Sequence, residues 1–124
     1  MPSKIEAFQQ ERERLNDIVM KYAGTGIKRF YNLDWQVYRE GALPVKTKEL
    51  LGLVASLVLR CDDCIFFHLA RCKEEGVTDV ELEETLNIGL IVGGSITIPH
   101  MRRALAAWDE MKGDVARQKE PGDG

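Results

Sequence analysis

Apolar residues in this chain recur at three- and four-residue intervals, and that spacing leaves little room for any fold other than packed helices. Ile5, Phe8, Leu15, Ile18, Val19 and Tyr22 mark one face of a first helix, which Gly24 is suited to stop. Ile27, Phe30, Leu33 and Val37 predict a second, shorter helix ending at Gly41. In LPVKTKELLGLVASLVLR, Pro44 suits a first helical turn, and the apolar run behind it reads as a buried helix. Nothing from Gly41 onward alternates with period two over a useful length. The next helix carries Cys64 to Glu75 and ends at Gly76. Thr78 with Glu81 three residues later is a capping box, so GVTDVELEETLNIGLIVGG reads as a loop followed by a helix, broken at Gly93 and Gly94. Pro99 lies near the start of a last helix with Met101, Leu105 and Trp108 on one face, stopped by Gly113. The expectation is an all-α protein of five to six helices, with one domain over residues 1–113 and a polar, frayed tail over 114–124.

Charge and composition exclude several functions. The net charge is −3 and the pI about 5.4, so the basic footprint that a phosphate backbone demands is missing and no nucleic-acid partner is expected. MPSKIEAFQQERERLN has no apolar core of the kind a signal peptide needs. The longest apolar run, Leu50 to Leu59, is half the ~20 residues that span a bilayer, so no membrane partner is expected and the chain reads as cytoplasmic. Three cysteines in a reducing compartment argue against a disulfide scaffold and towards redox or metal chemistry.

All three cysteines fall in RCDDCIFFHLARC, Arg60 to Cys72. On one helix Cys61, Cys64, His68 and Cys72 share a face within roughly 80°. A zinc site built from all four fails on distance, because eleven residues of helix separate Cys61 from Cys72 by about 16 Å. A zinc held by Cys61, Cys64 and His68 would need a further ligand from outside the segment; no metal is expected, and Cys72 reads as a buried apolar thiol. A reactive dithiol fits better. Asp62 and Asp63 suit a first helical turn, which puts Cys61 at or near the N-cap and Cys64 just inside. Helix amides there lower a thiol pKa, while the two aspartates raise it. His68, four residues beyond Cys64 on the same face, is able to take the Cys64 proton directly or through a water.

GALPVKTKELL, CDDCIFFH and GVTDVELEETLNIGLIVGG together resemble the AhpD-like (alkylhydroperoxidase D-like) family, which includes the carboxymuconolactone decarboxylases. The resemblance runs from about Gly41 to Gly94, including the twelve-residue spacing from Glu49 to Cys61. It implies an all-helical fold assembled as trimers or hexamers, and a proton relay from thiol to His to Glu. On that pattern Cys64 attacks a small-molecule peroxide, Cys61 closes the disulfide, His68 is the relay base and Glu49 the distal acceptor. No cofactor is implied beyond the Cys61–Cys64 disulfide and an external thiol reductant or reductase protein. Cys61, expected nearer the surface, would meet that reductant. On an unbroken helix Glu49 would lie about 18 Å from Cys61, so a chain break is predicted near Leu59 to Cys61. One departure stands out. The alkylhydroperoxidase members carry a His just before the second Cys, where this chain has Asp63.

Bland roles compete elsewhere. Glu49 also fits an exposed place in the ionic KTKE stretch, His100 a helix start or surface, and Phe66, Phe67 and Leu69 core or subunit packing. Gly89, Gly93 and Gly94 suit close helix packing, since no GxGxxG or preceding strand accompanies them. Two other functions stay open: a lactone decarboxylase, against which the intact CxxC counts, and a non-enzymatic redox-responsive oligomer.

Overall fold

The computed structural model describes residues 2–118, with side chains through Lys112. It comprises α1 (Lys4–Tyr22), α2 (Thr25–Val37), α3 (Val45–Leu59), α4 (Asp62–Glu74), α5 (Asp79–Gly93), a single 3₁₀ turn over Ser95–Thr97, and α6 (Ile98–Gln118). No strand occurs among the described residues.

Local chemistry sets most of the helix starts. The Ser3 hydroxyl accepts from the Glu6 amide at 3.1 Å, and Thr78 and Glu81 exchange both bonds of a capping box at 3.2 and 2.8 Å. Pro44 occupies the N-cap of α3 rather than its first turn.

Two helices end in the same way. At α4 the Gly76 amide bonds Lys73 and the Val77 amide bonds Cys72, with Gly76 left-handed at φ 78°. At α3 the Arg60 amide bonds Leu57 and the Cys61 amide bonds Ser56, with Arg60 left-handed at φ 60°, ψ 41°. Both are Schellman motifs. The second one is the predicted break. It ends α3 at Leu59, two residues before Cys61, and turns α4 back alongside it.

α3 is the central rod, flanked by α4 and α5, while α6 and the start of α1 close over α4. Leu53, Leu57, Ile65, Leu69, Leu82 and Leu86 fill the contact, and Trp108 donates to Asp79 at 2.8 Å at its edge. Gly89 lets α5 approach closely, since a Cβ there would lie 2.5 Å from Leu57 Cδ2. Gly93 likewise packs on Thr97 and Val58, whereas Gly94 serves a left-handed turn at φ 79°.

Periodicity overstates burial in three places. Of the apolar face of α1, Ile5 is buried and Phe8 and Val19 are half-buried, because only part of the helix rests on α4 and α6; Leu15, Ile18 and Tyr22 remain exposed. α2 ends at Val37, four residues before Gly41, and buries none of its side chains. On α6 the core face is Ala104, Ala107, Trp108 and Met111, leaving Leu105 41% exposed. Gly113 does not stop α6, which continues to Gln118 through part of the expected tail; residues 119–124 of that tail lie outside the described residues. A single glycine in a helix costs only about 1 kcal/mol, too little to end it alone.

Arg60 gives a direct test of the break. A non-glycine residue in the left-handed region costs about 1–2 kcal/mol, and glycine returns part of that as chain entropy. Arg60→Gly should therefore raise stability by up to about 1 kcal/mol, while Arg60→Val should lower it. Urea midpoints, with unchanged m-values, check both.

Candidate functional site

The turn at Arg60 brings the second turn of α3 against α4, and a buried ion pair marks the meeting. Glu49 is 1% exposed and His68 7%, with Glu49 Oε1 at 2.9 Å from His68 Nδ1. A carboxylate so buried needs both oxygens satisfied. The second, Oε2, accepts from Arg71 Nε at 3.4 Å, and Arg71 is held in turn by Glu74 and Glu75. Beside a carboxylate Nδ1 carries the proton, which leaves Nε2 as the lone-pair nitrogen when the ring is neutral. Tyr38 Oη lies 3.4 Å from that Nε2 and donates to it. Burial, then the charges of Asp34 and Glu49, push the Tyr38 phenol up from its ordinary pKa, so it keeps its proton. Gly52 makes room for the arrangement: a Cβ there would meet His68 Cε1 at 2.6 Å and Tyr38 Oη at 2.7 Å.

Next to this buried pair stands the dithiol. Cys61 is the N-cap of α4, its Sγ accepting from the Cys64 amide at 3.2 Å, and it is joined to Cys64 as a disulfide with Cα atoms 5.3 Å apart. The two aspartates between them differ. Asp62 accepts from His100 Nδ1 at 2.8 Å and from Arg103 Nε at 2.9 Å. Burial tends to raise the Asp62 carboxyl, but these two partners outweigh it and hold the group below the usual range. Asp63 is exposed and no such pairing offsets its charge among the described residues.

Cys64 and His68 line one hollow of about 490 Å³, together with Phe67 and Asp63. No hydrogen bond joins His68 to either sulfur among the described residues; the ring nitrogens are taken by Glu49 and Tyr38. Cys61, expected to be the more exposed thiol, is half-buried, whereas Cys64 is exposed. Cys61 occupies the cap position, its amide bonded to Ser56 at the end of α3. Cys72 is fully buried away from the pair, and burial, then Glu49, push its thiol up to about 12. No group of three or more His, Cys, Asp or Glu side chains is spaced to hold a metal ion among the described residues.

Sequence reasoning missed Arg71, Tyr38, Gly52 and Arg103. Arg71 had a readable signal, three residues beyond His68 on the same helical face. The others come from the C-cap of α2, from α3 and from α6, and only tertiary packing brings them in. His100 is half-buried and bound to Asp62, so it touches the first turn of the CxxC helix without lining the hollow that holds Cys64 and His68.

The carboxymuconolactone decarboxylase family model matches residues 27–110. The chain belongs to that family. It is similar to a Thermotoga maritima member of known crystal structure, 53% identical, covering 90% of this chain and 97% of that one with a TM-score of 0.87. A part in an antioxidative response has been suggested for that Thermotoga protein. A Legionella pneumophila family member is 27% identical, covering 86% of this chain and 96% of that one with a TM-score of 0.80. An uncharacterized Cupriavidus necator protein is 26% identical over 106 residues, 81% of this chain and 94% of that protein.

The three thiols should titrate unequally. With the Cys72 thiol at about 12, on the order of 10⁻⁴ of it is thiolate at pH 8. Reduced native protein should react rapidly with a disulfide reagent at two sites and at the third only on unfolding. Three fast sites would show that Cys72 is accessible.

Proposed function

We propose that the chain is a thiol-dependent peroxidase that reduces a small hydroperoxide through the Cys61–Cys64 pair, with His68 and Glu49 as its proton relay. The observation that carries this reading is the buried Glu49–His68 pair opening, through the imidazole, onto the hollow that Cys64 lines. In the reduced form Nε2 exchanges its Tyr38 bond for the Cys64 thiol, directly or through a water, and takes its proton. Glu49 holds the resulting imidazolium by charge.

The chemistry then balances without a metal. The Cys64 thiolate attacks the outer oxygen of ROOH and the O–O bond breaks. The sulfur becomes a sulfenic acid, and RO⁻ leaves as ROH with the proton from His68. Cys61 next attacks the Cys64 sulfur, its S–O bond breaks, and the departing hydroxide takes the Cys61 proton to leave as water. Two thiols and ROOH thus give a disulfide, ROH and water. An external dithiol, small or on a reductase protein, supplies the two electrons that restore the pair. Because Cys64 is the exposed sulfur, that dithiol attacks it, and Cys61 leaves as a thiolate held by the Cys64 amide and the helix dipole. A lactone decarboxylase has no use for such a pair. The suggested antioxidative part of the Thermotoga relative agrees with the peroxidase reading. The reading calls for a reducing compartment such as the cytoplasm.

Peroxide consumption with a dithiol reductant tests it. Peroxide should remove two thiols reversibly, Cys64→Ser should abolish turnover, and Cys61→Ser should trap a sulfenic acid on Cys64, seen by mass spectrometry after dimedone labelling. Trapping on Cys61 instead, in Cys64→Ser, would reverse the roles.

The same reading includes a homo-oligomer, trimeric or hexameric. Its support is an apolar face at the C-terminal ends of α3 and α5, where Leu59, Ile91, Val92 and Ile96 are all exposed, Ile91 to 86%. Ile91→Glu should weaken the assembly, with sedimentation equilibrium as the readout; a wild-type chain that sediments as a monomer would sink the idea.

A further inference from the structure

Beyond the hollow that holds Cys64 lies a larger one of about 650 Å³, walled by Phe30, Trp35, Tyr38 and Phe67. The two hollows share Arg12, Asn16, Asp34 and Phe67, so they form one cleft leading to the sulfur. Its size falls within the range usual for small-molecule sites, about 300–1,000 Å³. The proton relay does not account for its outer half.

That outer half has a mixed chemistry. Its body is aromatic, but two guanidiniums are laid on the rings. Arg12 Cζ stands 4.4 Å from the Phe67 centroid and Arg39 Cζ 5.0 Å from that of Trp35. Neither has a carboxylate within 4.0 Å among the described residues, whereas Arg71 is occupied by Glu49, Glu74 and Glu75. Four carboxylates line the cleft: Asp34 from the shared wall, Glu11 and Asp63 from the inner hollow, and Glu49 from the outer one. Glu11 is paired with Arg14, and Glu49 with His68 and Arg71, while Asp34 and Asp63 lie on the shared or inner part. An anion is therefore favoured in the outer part, where Arg39 has no carboxylate partner among the described residues. Arg12 marks the junction between the hollows, nearer the sulfur.

We propose that this cleft binds an amphipathic carboxylate, its head on Arg39 and its apolar body along Trp35, Phe30 and Phe67. Joined to the peroxidase reading, on which this step rests, the site makes the substrate the hydroperoxide of a fatty acid. The O–O group is carried down the aromatic wall to Cys64, and the external dithiol supplies the electrons. Hydrogen peroxide uses none of this surface.

Binding can be read without turnover. The chain has two tryptophans, Trp35 at 65% exposure in the cleft and Trp108 at 5% on the core face of α6, outside the cleft. Linoleate, added to the full-length protein below its micellar concentration, should change the emission of Trp35. Trp35→Phe should lose that signal. Linoleyl alcohol has the same tail and no charge, and it should bind about ten-fold more weakly, the scale of one charge-assisted hydrogen bond. Arg39→Gln should remove the difference between the two. Equal affinities in the wild type, or an advantage for linoleate that survives Arg39→Gln, would overturn the proposal. A parallel peroxidase assay compares the hydroperoxide of linoleic acid with its methyl ester. A higher kcat/KM for the acid supports the assignment and equal values count against it. No turnover of either, with linoleate still bound through Arg39, defeats the peroxidase reading and leaves the carboxylate site standing.

Discussion

A carboxylate with 1% exposure in the middle of a helical core is the constraint on which the rest of this site depends. Glu49 sits on α3, and its partners His68 and Arg71 both sit on α4. Removing either partner of such a pair costs about 3–5 kcal/mol, because a charge is left buried. The two helices are therefore locked in one offset as well as packed by Leu53, Leu57, Ile65 and Leu69. That offset has a backbone origin. The left-handed Arg60 reverses the chain in a single residue, and α4 begins so soon afterwards that Cys61 becomes its cap. One turn thus sets both the Glu49–His68 pair and the thiol position.

The lock also fixes the imidazole electronically. With Nδ1 committed to Glu49, the free lone pair is on Nε2, the nitrogen on the Tyr38 side. Gly52 is the empty space that permits this, since any Cβ would occupy the ring position. The phenol then has a plain physical part: it satisfies a buried nitrogen while the sulfurs are tied to each other. The proposed peroxidase cycle asks that bond to yield when the disulfide opens.

Much of this architecture is legible in the residues. Thr78 and Glu81, the spacing of CxxC and His68, and the need for a break before Cys61 are local signals whose physics involves only neighbouring residues. Glu49 is legible only by likeness, because nothing in KTKE distinguishes a buried carboxylate from a solvated one. What fails to show is of another kind. The helical period gives the direction of an apolar face but not how much surface another helix offers it. Phe30 and Leu33 mark α2 as a helix, which it is, yet nothing in the sequence announces that both stay exposed. Leu105 and Gly113 mislead similarly, the first because small Ala104 and Ala107 allow α6 to sit closer on its other side. Asp62 with His100 and Arg103 spans about 40 residues of sequence, and no short-range pattern reports such a contact.

That last cluster changes the electrostatic argument for the dithiol. Taken as sequence, Asp62 and Asp63 oppose thiolate formation equally, and Asp63 stands where alkylhydroperoxidases have an imidazole. In the fold they are not equal. Asp62 is paired with a guanidinium and an imidazole, so its field at the sulfurs is largely offset. Asp63 keeps its charge but faces water, where the dielectric is high and screening acts over about 10 Å. Against that weakened repulsion stand the α4 amides, one of which already donates to Cys61 Sγ. The balance favours the thiolate at Cys61 on dipole grounds, while only Cys64 shares a hollow with His68, the base of the proposed cycle. Such a division suits a two-thiol cycle, because a good leaving group and a good nucleophile are different requirements. A sulfur stabilised as an anion leaves easily, whereas one whose proton is withdrawn only at the moment of attack retains its basicity and therefore its reactivity. In the proposed cycle, cap and relay supply these two conditions separately, to two sulfurs three residues apart in sequence.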